Sequence, residues 1–420
     1  MKVCVIGNGG REHALAWRLS ISPSVTKVYA IPGSAAMSDC AELVGIDWQQ
    51  SDHLISFLKD NQVDLVVVGP EAPLVAGLAD TLNKAGIPVF GPSKAAAQLE
   101  GSKVFAKDVM KKYNIPTAAY GVFHNVDQAK KFIAQTGAPI VVKADGLAAG
   151  KGVVVAMTIE EANAAVEDML SGNRFGEAGS TVVIEEFMEG EEASLLAFVD
   201  GKTVIPMIAS QDHKRIFDGD KGPNTGGMGT YAPAPVLTDA LRDEAMKTIL
   251  EPMVAAMEKE GMPYVGCLYA GLMITSQGPK VVEFNARFGD PETQVVLPLL
   301  DSDLGQIMMA CATGTLTADM VKWKDSSAAC VILASKGYPE ISSKGDVLHG
   351  DIKQHDTTIV FHSGTKLVGD EYVTNGGRVL GVVGLGKDLR TALDRAYGRI
   401  EHIDFEGMQY RTDIGAKAFK

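Results

Sequence analysis

The chain has 420 residues, of which 46% are hydrophobic and 22% charged, and its formal net charge is -13. This length predicts two to four globular domains with well-buried cores. The negative charge argues against sequence-independent binding to nucleic acid or to anionic membranes, so any phosphate site must be built locally from backbone N–H groups and a few basic side chains.

Cysteine usage and hydropathy indicate a cytoplasmic protein. The five cysteines are scattered, odd in number and without metal-ligand spacing, which argues against a disulfide framework. The apolar run at the N-terminus is very short and is predicted to be a buried strand rather than a signal peptide. No apolar stretch approaches the roughly 18 residues that a membrane-spanning helix needs.

The first hundred residues alternate apolar strands with amphipathic helices, which predicts an N-terminal parallel αβα domain. Strands are expected at residues 2–6, 27–31, 64–68 and 88–90, and helices at residues 12–20 and 52–61. Ligands of such sheets bind at the carboxyl ends of the strands. Here glycines follow all four predicted strands, which marks that edge as a candidate ligand site.

The first glycine motif, GNGGRE at residues 7–12, follows a strand and opens a helix, as a dinucleotide fingerprint does. Glu12 nevertheless occupies the third glycine position, and the second strand lacks the acid that would hold a ribose hydroxyl. NAD binding is therefore disfavoured. The helix N-terminus could still receive a phosphate or carboxylate, and a tight turn without a ligand is the alternative.

Further along, a helix is predicted at residues 102–113, followed by a small α+β module with helices at 126–136 and 159–171 and strands at 140–143, 153–156 and 181–186. Its DGLAAGKG sequence at residues 145–152 is no P-loop, because the spacing is one residue short and a strand follows. A glycine loop between strands can instead fold over a triphosphate, with Lys143 and Lys151 neutralising its charge. The alternative is a mobile hairpin with solvated lysines.

Two later segments carry polar side chains at close spacing. Glu283, Asn285 and Arg287 alternate along a predicted strand and so share one face, where carboxylate and amide oxygens suit Mg²⁺ and the guanidinium suits an anion. The QDHKR segment at residues 211–215 precedes a glycine-rich loop that could wrap a small ligand. For the segment with Glu283, Asn285 and Arg287, the alternative is an exposed polar strand end. In the second segment, His213 is expected to be structural. The last ninety residues are rich in short strands.

Taken in order, these motifs resemble the phosphoribosylamine–glycine ligase (glycinamide ribonucleotide synthetase) family of the ATP-grasp superfamily. The resemblance runs nearly from end to end, and its most specific stretch is NARFGDPE at residues 285–292. It implies an N-terminal domain at 1–102, an ATP-grasp domain at 103–327 with a hinged lid at about 121–190, and a small β-rich C-terminal domain at 328–420. The fold class is therefore mixed α/β and α+β.

The resemblance also implies that ATP, glycine and 5-phosphoribosylamine give ADP, phosphate and glycinamide ribonucleotide through glycyl phosphate, in purine biosynthesis. Mg²⁺ or Mn²⁺ would be held by Glu283 and Asn285. ATP would be bound by Lys103, Lys143, Gly150, Lys151, Gly152, Glu185, Glu186, Phe187, Met188 and Glu191. Substrates would be bound by Gly9, Gly10, Glu71, Asn224, Thr225, Gly226 and Gly227. Catalysis would involve Asp212, Lys214, Arg287 and Asp290.

One departure from the superfamily is the strand at residues 269–273, which has no second acidic metal ligand. The expected partners are small molecules only, and the expected assembly is a monomer or weak homodimer. Three rival functions predict different behaviour: an ATP-grasp carboxylase would require bicarbonate, an oxidoreductase would bind NAD, and a nucleotide sensor would tolerate loss of Glu283.

Overall fold

The computed structural model describes residues 1–147, 152–171 and 180–419. Among these residues, no helix is both long enough and apolar enough to cross a membrane. The glycine loop residues Gly150 and Lys151, predicted to bind ATP, lie outside the described residues.

The N-terminal region confirms the predicted parallel sheet, whose strand order is β3-β2-β1-β4-β5. Its elements are β1 Lys2–Gly7, α1 Gly10–Ser20, β2 Lys27–Pro32, β3 Glu42–Leu43, α2 Ser51–Asp60, β4 Leu65–Val68, α3 Glu71–Ala76, α4 Leu78–Lys84 and β5 Val89–Phe90. The strands are almost wholly apolar because helices cover both faces of the sheet.

Glu12 fills the crevice where the strand order of this sheet reverses, between β1 and β4. Its carboxylate accepts a hydrogen bond from Gly9 N at 2.8 Å. A Cβ added to Gly7 or Gly69 would come within 2.5 and 2.2 Å of the Glu12 side chain, so only glycine fits on either side. The position at which dinucleotides bind to such sheets is thus taken by a buried side chain.

The middle of the chain forms two further four-stranded sheets: β6-β9-β7-β8 lies within the residues predicted to be a lid and is called the lid sheet, and β11-β10-β16-β17 is called the core sheet. The elements around the lid sheet are α5 Gln98–Gly101, α6 Lys103–Lys112, β6 Tyr120–Phe123, α7 Val126–Thr136, β7 Ile140–Ala144, β8 Val153–Ala156, α8 Ile159–Ser171 and β9 Val182–Glu186. Helix α7 begins where the Asn125 side chain accepts from two backbone N–H groups of the first turn.

The core that follows contains β10 Glu191–Asp200, β11 Val204–Pro206, β12 Gln211–Asp212, β13 Arg215–Phe217, β14 Lys221–Asn224, β15 Gly229–Ala232, α9 Asp239–Ala245, α10 Glu251–Lys259, β16 Val265–Thr275, β17 Gly278–Asn285, α11 Thr293–Val296 and α12 Leu304–Thr313. A π-helical turn at Met246–Leu250 joins α9 to α10, and a 3₁₀ turn at Leu297–Leu299 follows α11. One apolar cluster runs from the N-terminal sheet into this core, so the two regions share a continuous interior.

The C-terminal region contains β18 Ser327–Ala334, β19 His349–Gly350, β20 Thr358–His362, β21 Thr365–Val368, β22 Glu371–Thr374, β23 Arg378–Gly386, α13 Leu389–Ile400 and β24 Ile403–Asp404. Its main sheet has the order β12-β15-β18-β23-β20. Strands β12 and β15 come from the preceding region, so this sheet continues across the predicted boundary at 327/328. The glycine-rich segment between β12 and β15 is therefore held between the two regions.

Two buried histidines join the N-terminal and C-terminal regions. The backbone N–H of His362 donates to His13 Nδ1 at 3.0 Å, and the two rings lie 5.9 Å apart. Burial lowers the pKa of His13 to about 3, with a further contribution from His362, and burial lowers the pKa of His362 to about 4. Both rings are therefore neutral in the folded protein at neutral pH.

This pair predicts that acid destabilises the protein before its carboxylates titrate. Above pH 6.5 the histidines are neutral in both states; as the pH falls below 6.5 the unfolded chain binds protons that the folded state does not, and stability decreases. The loss should reach about 2 kcal/mol per buried histidine by pH 5. Urea unfolding from pH 7.5 to 5.0 should show a shallower pH dependence for His13→Gln than for the wild type. The exposed His53 provides the control: equal slopes for His13→Gln, His53→Gln and wild type would contradict the prediction.

Candidate active site

A cavity of about 490 Å³ lies between the lid sheet and the core sheet and extends to the N-terminal and C-terminal regions. Most of the residues predicted from the sequence to form the site line it. These are Glu71, Lys103, Lys143, Gly152, Glu185, Glu186, Phe187, Met188, Lys214, Asn224, Thr225, Gly226, Glu283, Asn285, Arg287 and Asp290. Five other predicted residues, all described, are not part of its lining: Gly9, Gly10, Glu191, Asp212 and Gly227.

The lid end of the cavity carries two lysines at the base of the glycine loop. Lys143 Nζ donates to the carbonyl of Val282 at 3.0 Å, and Lys103 Nζ donates to that of Gly146 at 3.0 Å. The Asp145 carboxylate accepts from the backbone N–H of Lys103 at 2.6 Å, which ties the start of the loop to the first turn of α6. The buried Lys143 and the half-buried Lys103 thus place two ammonium groups at one space, as binding of a phosphate chain requires.

Lys107, which was not predicted as a site residue, completes a buried ionic cluster beneath this end. Glu185 Oε2 lies 3.0 Å from Lys143 Nζ and 3.2 Å from Lys107 Nζ, and all three side chains are buried. Burial lowers the pKa of Lys107 to about 8, with Glu185 acting against it. Lys107 lies one helical turn after Lys103 in α6. This spacing predicts that both side chains share one face of the helix, and it is the signal in the sequence that points to Lys107. The Glu185 carboxylate therefore holds the ammonium groups of Lys107 and Lys143 in position.

The segment after β9 forms an apolar end of the cavity suited to a planar base. Phe187 and Met188 line it together with Val141, Val155 and Met273. Neighbouring residues of a strand point to opposite faces, and at the start of β10 it is Glu192 that lines the cavity. Glu191, predicted to bind ATP, instead lies within 3.4 Å of the Gln211 side chain.

Glu283 and Asn285 lie on the cavity face of β17, between the lysines and the opposite end. A bulge opposite Gly271 and Leu272 shifts the register of β17, and Phe284 points into the core between the two polar residues. Burial alone would raise the pKa of Glu283, but Lys143, Lys214 and Lys103 hold it below its ordinary value. The carboxylate therefore stays ionised.

These oxygens fit a divalent cation of the Mg²⁺ type. In residues 1–147, 152–171 and 180–419 no group of three or more His, Cys, Asp or Glu side chains could hold a metal by itself. Mg²⁺ commonly takes one or two protein oxygens and completes its shell with water and substrate phosphates. Glu283 and Asn285, beside the phosphate-facing lysines, match that donor set.

Arg287 lies just beyond the end of β17 and is held by two carboxylates. Its NH2 group lies 2.8 Å from Glu100 Oε1 and its Nε lies 3.3 Å from Glu71 Oε2. Burial alone would lower the pKa of Arg287, but Glu100 and Glu71 raise it. Glu100 was not predicted as a site residue; it also accepts from the backbone N–H of Ala286 at 2.7 Å. The guanidinium is therefore fixed in place at the wall of the cavity.

A second polar cluster surrounds Lys214. Its Nζ lies 2.5 Å from Asp212 Oδ2, and Asp212 itself is not part of the cavity lining. Glu292, which also lines the cavity, accepts from Tyr269 OH at 3.0 Å and Ser194 Oγ at 3.2 Å. Burial raises the pKa of Glu292 although Lys214 opposes it. Tyr269 and Glu292 are thus site residues missed by the sequence analysis.

Gly9, Gly10 and Gly227 lie outside the cavity lining because other side chains pack on them. A Cβ at Gly10 would meet Ser363 Oγ at 2.2 Å, and one at Gly227 would meet Asp212 Oδ1 at 2.6 Å. At Gly9 the Glu12 carboxylate lies 2.8 Å from the added atom. His213, which was expected to be structural, is buried, and its Nδ1 lies 3.0 Å from the carbonyl of Gly229.

Comparisons with known proteins agree with this architecture. Family models described as the N, ATP-grasp (A) and C domains of phosphoribosylglycinamide synthetase match residues 1–100, 101–293 and 328–417. Phosphoribosylamine–glycine ligase of Halalkalibacterium halodurans is 53% identical over 418 residues, covering 100% of this chain and 97% of that protein. That of Neisseria meningitidis serogroup A is also 53% identical, with 100% and 99% covered.

Solved structures show the same fold. The crystal structure of Thermotoga maritima phosphoribosylamine–glycine ligase has a TM-score of 0.86 and 33% identity, covering 99% of this chain and 100% of that one. The biotin carboxylase domain of Hydrogenobacter thermophilus 2-oxoglutarate carboxylase, at a TM-score of 0.75 and 17% identity with 97% and 91% covered, shares the fold alone. The chain therefore belongs to the phosphoribosylamine–glycine ligase family.

Proposed function

We propose that the cavity joins glycine to 5-phosphoribosylamine at the expense of ATP, giving glycinamide ribonucleotide, ADP and phosphate. This is the activity for which the curated relatives are named. The observation that supports it most is the order of groups along one cavity. An apolar end and two lysines are followed by Glu283 and Asn285, and then by an acceptor end lined by Glu71, Asn224, Thr225, Gly226, Arg287, Asp290 and Glu292.

The first chemical step would form glycyl phosphate. A glycine carboxylate oxygen attacks the γ-phosphorus, and the bond from phosphorus to the bridging oxygen of ADP breaks. Both reactants are anions, so their repulsion must be screened and their geometry fixed. Lys103 and Lys143 supply fixed positive charge at the phosphate end, and Glu185 holds the Lys143 ammonium in position. Mg²⁺ or Mn²⁺ held by Glu283 and Asn285 would neutralise phosphate oxygens.

The second step would transfer the glycyl group. The amine nitrogen of phosphoribosylamine attacks the carbonyl carbon, phosphate leaves, and the nitrogen loses a proton. Glycyl phosphate reacts with water, so closure of the lid over the cavity would protect it. The Arg287 guanidinium and the Lys214 ammonium line this end of the cavity, each already paired with a carboxylate that fixes its position.

Phosphate release from ATP, measured with each component omitted in turn, tests this function. The expected result is turnover that requires glycine, phosphoribosylamine and a divalent metal together, with no stimulation by bicarbonate. Turnover without glycine, or stimulation by bicarbonate, would contradict the ligase reaction.

The same proposal includes domain boundaries at 102/103 and 327/328, a cytoplasmic location, and a monomer or weak homodimer as the assembly.

A further inference from the structure

The C-terminal region contributes a cation to the acceptor end of the cavity. Arg378, the first residue of β23, is the one lining residue that follows Glu292 in the described part of the chain. Its NH1 donates to the carbonyls of Gly226 at 2.9 Å and Asp290 at 2.8 Å. The guanidinium lies flat against Gly226, where a Cβ would come within 3.0 Å of Cζ. The side chain is thus held by backbone oxygens rather than by a strong ion pair.

Arg378 is the least neutralised of the four cations at this end. Arg287 is bound by Glu100 and Glu71, Lys214 by Asp212 at 2.5 Å, and Arg11 by Glu12 at 2.6 Å. For Arg378 the nearest carboxylate oxygen is that of Asp290, 3.4 Å from NH2, which is longer than a strong charge-assisted hydrogen bond.

Its remaining donors are also available. Within residues 1–147, 152–171 and 180–419, Nε of Arg378 has no hydrogen-bond partner, and NH2 has only the long contact with Asp290. Nε and NH2 form the side of a guanidinium that can bind an oxyanion in bidentate fashion. The backbone anchors at NH1 would keep that side in one orientation.

We propose that Arg378 binds the 5′-phosphate of the amine substrate and so makes the enzyme specific for the phosphorylated amine. This inference rests on the proposed ligase function. At the acceptor end of the cavity, away from the lysines that face the ATP phosphates, the 5′-phosphate of phosphoribosylamine is an anionic group that takes no part in the chemistry, and such a group needs a cation that is not already neutralised. The C-terminal region would then supply substrate specificity as well as a wall of the cavity.

The rival role for Arg378 is purely structural, as an anchor of the loop that contains Gly226. Tyr338 provides a matched control, because its hydroxyl accepts from the backbone N–H of Gly226 at 3.0 Å and so anchors the same loop without charge. Tyr338 is not part of the cavity lining. Loss of a loop anchor should impair phosphorylated and unphosphorylated amines alike, whereas loss of a phosphate ligand should impair only the phosphorylated one.

The test compares phosphoribosylamine with ribosylamine, each formed freshly from ammonia and ribose 5-phosphate or ribose, in wild type, Arg378→Gln and Tyr338→Phe. In Arg378→Gln, kcat/KM for phosphoribosylamine should fall about 10- to 150-fold, the range expected for hydrogen bonds to a charged group. That for ribosylamine should change less than threefold, and KM for ATP should be unchanged. Arg378→Lys should recover part of the loss, and Tyr338→Phe should leave the ratio of the two amines unchanged.

The outcomes separate the two proposals. Equal losses for both amines in Arg378→Gln would overturn the phosphate-binding role and leave Arg378 as a loop anchor. If wild type fails to use phosphoribosylamine at all, the ligase function itself is contradicted. Should thermal unfolding show that Arg378→Gln does not fold, Arg378→Lys is compared by the same ratio, because it keeps the charge but loses the bidentate geometry; an unchanged ratio would then overturn the phosphate-binding role.

Discussion

Replacing Glu283 with glutamine is expected to lower kcat about 10³-fold without unfolding the protein. The amide has nearly the same shape as the carboxylate but no charge, so the cation that screens the attacking carboxylate from the γ-phosphate would be held poorly. A loss of about 4 kcal/mol in transition-state stabilisation, within the range for metal-assisted charge stabilisation, corresponds to this factor. Lys143, Lys214 and Lys103 would lose the carboxylate that now faces them.

Phosphate release and ATP binding in Glu283→Gln should therefore be measured separately. Turnover should collapse, while ATP should still bind through the lysines and the apolar end of the cavity. Glu189→Gln is the control, because Glu189 is an exposed acid near the end of β9 that does not line the cavity. If Glu283→Gln retained more than a tenth of wild-type turnover, the metal role of Glu283 would be wrong, and a nucleotide-sensing function would gain support.

Replacing Arg287 with methionine is expected to destabilise the protein by about 3–5 kcal/mol, the usual result of removing one partner from a buried ionic cluster. Methionine preserves most of the volume, so the effect would come from charge. Glu100, which is only 7% exposed, would be left without its guanidinium, and Glu71 would lose its 3.3 Å partner. The same change should abolish most activity, because the fixed cation at the acceptor end is lost.

The loss of stability in Arg287→Met should depend on pH, in a direction set by the pKa of Glu100. Burial already raises the pKa of Glu100 despite Arg287, and removing Arg287 would raise it further. A carboxyl group whose folded pKa lies above its unfolded value contributes stability below the unfolded pKa and loses it as the pH rises through the folded value. The deficit of Arg287→Met relative to wild type should therefore be smaller at pH 5 than at pH 8.

Urea unfolding of Arg287→Met at pH 5 and pH 8 measures both effects. Arg242→Met is the matched control, since Arg242 pairs with Asp239 and Asp243 at the surface, where such ion pairs contribute under about 1 kcal/mol. A deficit for Arg287→Met as small as that for Arg242→Met, or one that grew at acid pH, would show that Glu100 is not held by Arg287 in the way described.

Local sequence patterns predicted most of the fold. The helices at 126–136 and 159–171 and the strand at 153–156 have the predicted bounds, because each has a clear apolar period and a turn or cap at its ends. The bounds of the other predicted strands and helices mostly differ from the observed bounds by one or two residues. Short elements such as α3 and the two-stranded hairpins were not predicted, since they bury too few residues to give a periodic pattern.

For the site, local patterns in the sequence predicted the lysines around the glycine loop and the pair Glu283 and Asn285, two apart on one strand. The ionic partners Glu100, Lys107 and Arg378 and the burial of Glu292 could be found in the folded chain alone. The Glu100–Arg287 pair joins residues 187 apart, and the hydrogen bond from Arg378 to Gly226 joins residues 152 apart. Pairing of side chains at such separations leaves no periodic pattern in the sequence. It depends on which ends of strands and helices the folded core brings together at one cavity. Burial and the neighbouring charges then decide which of these groups stay ionised.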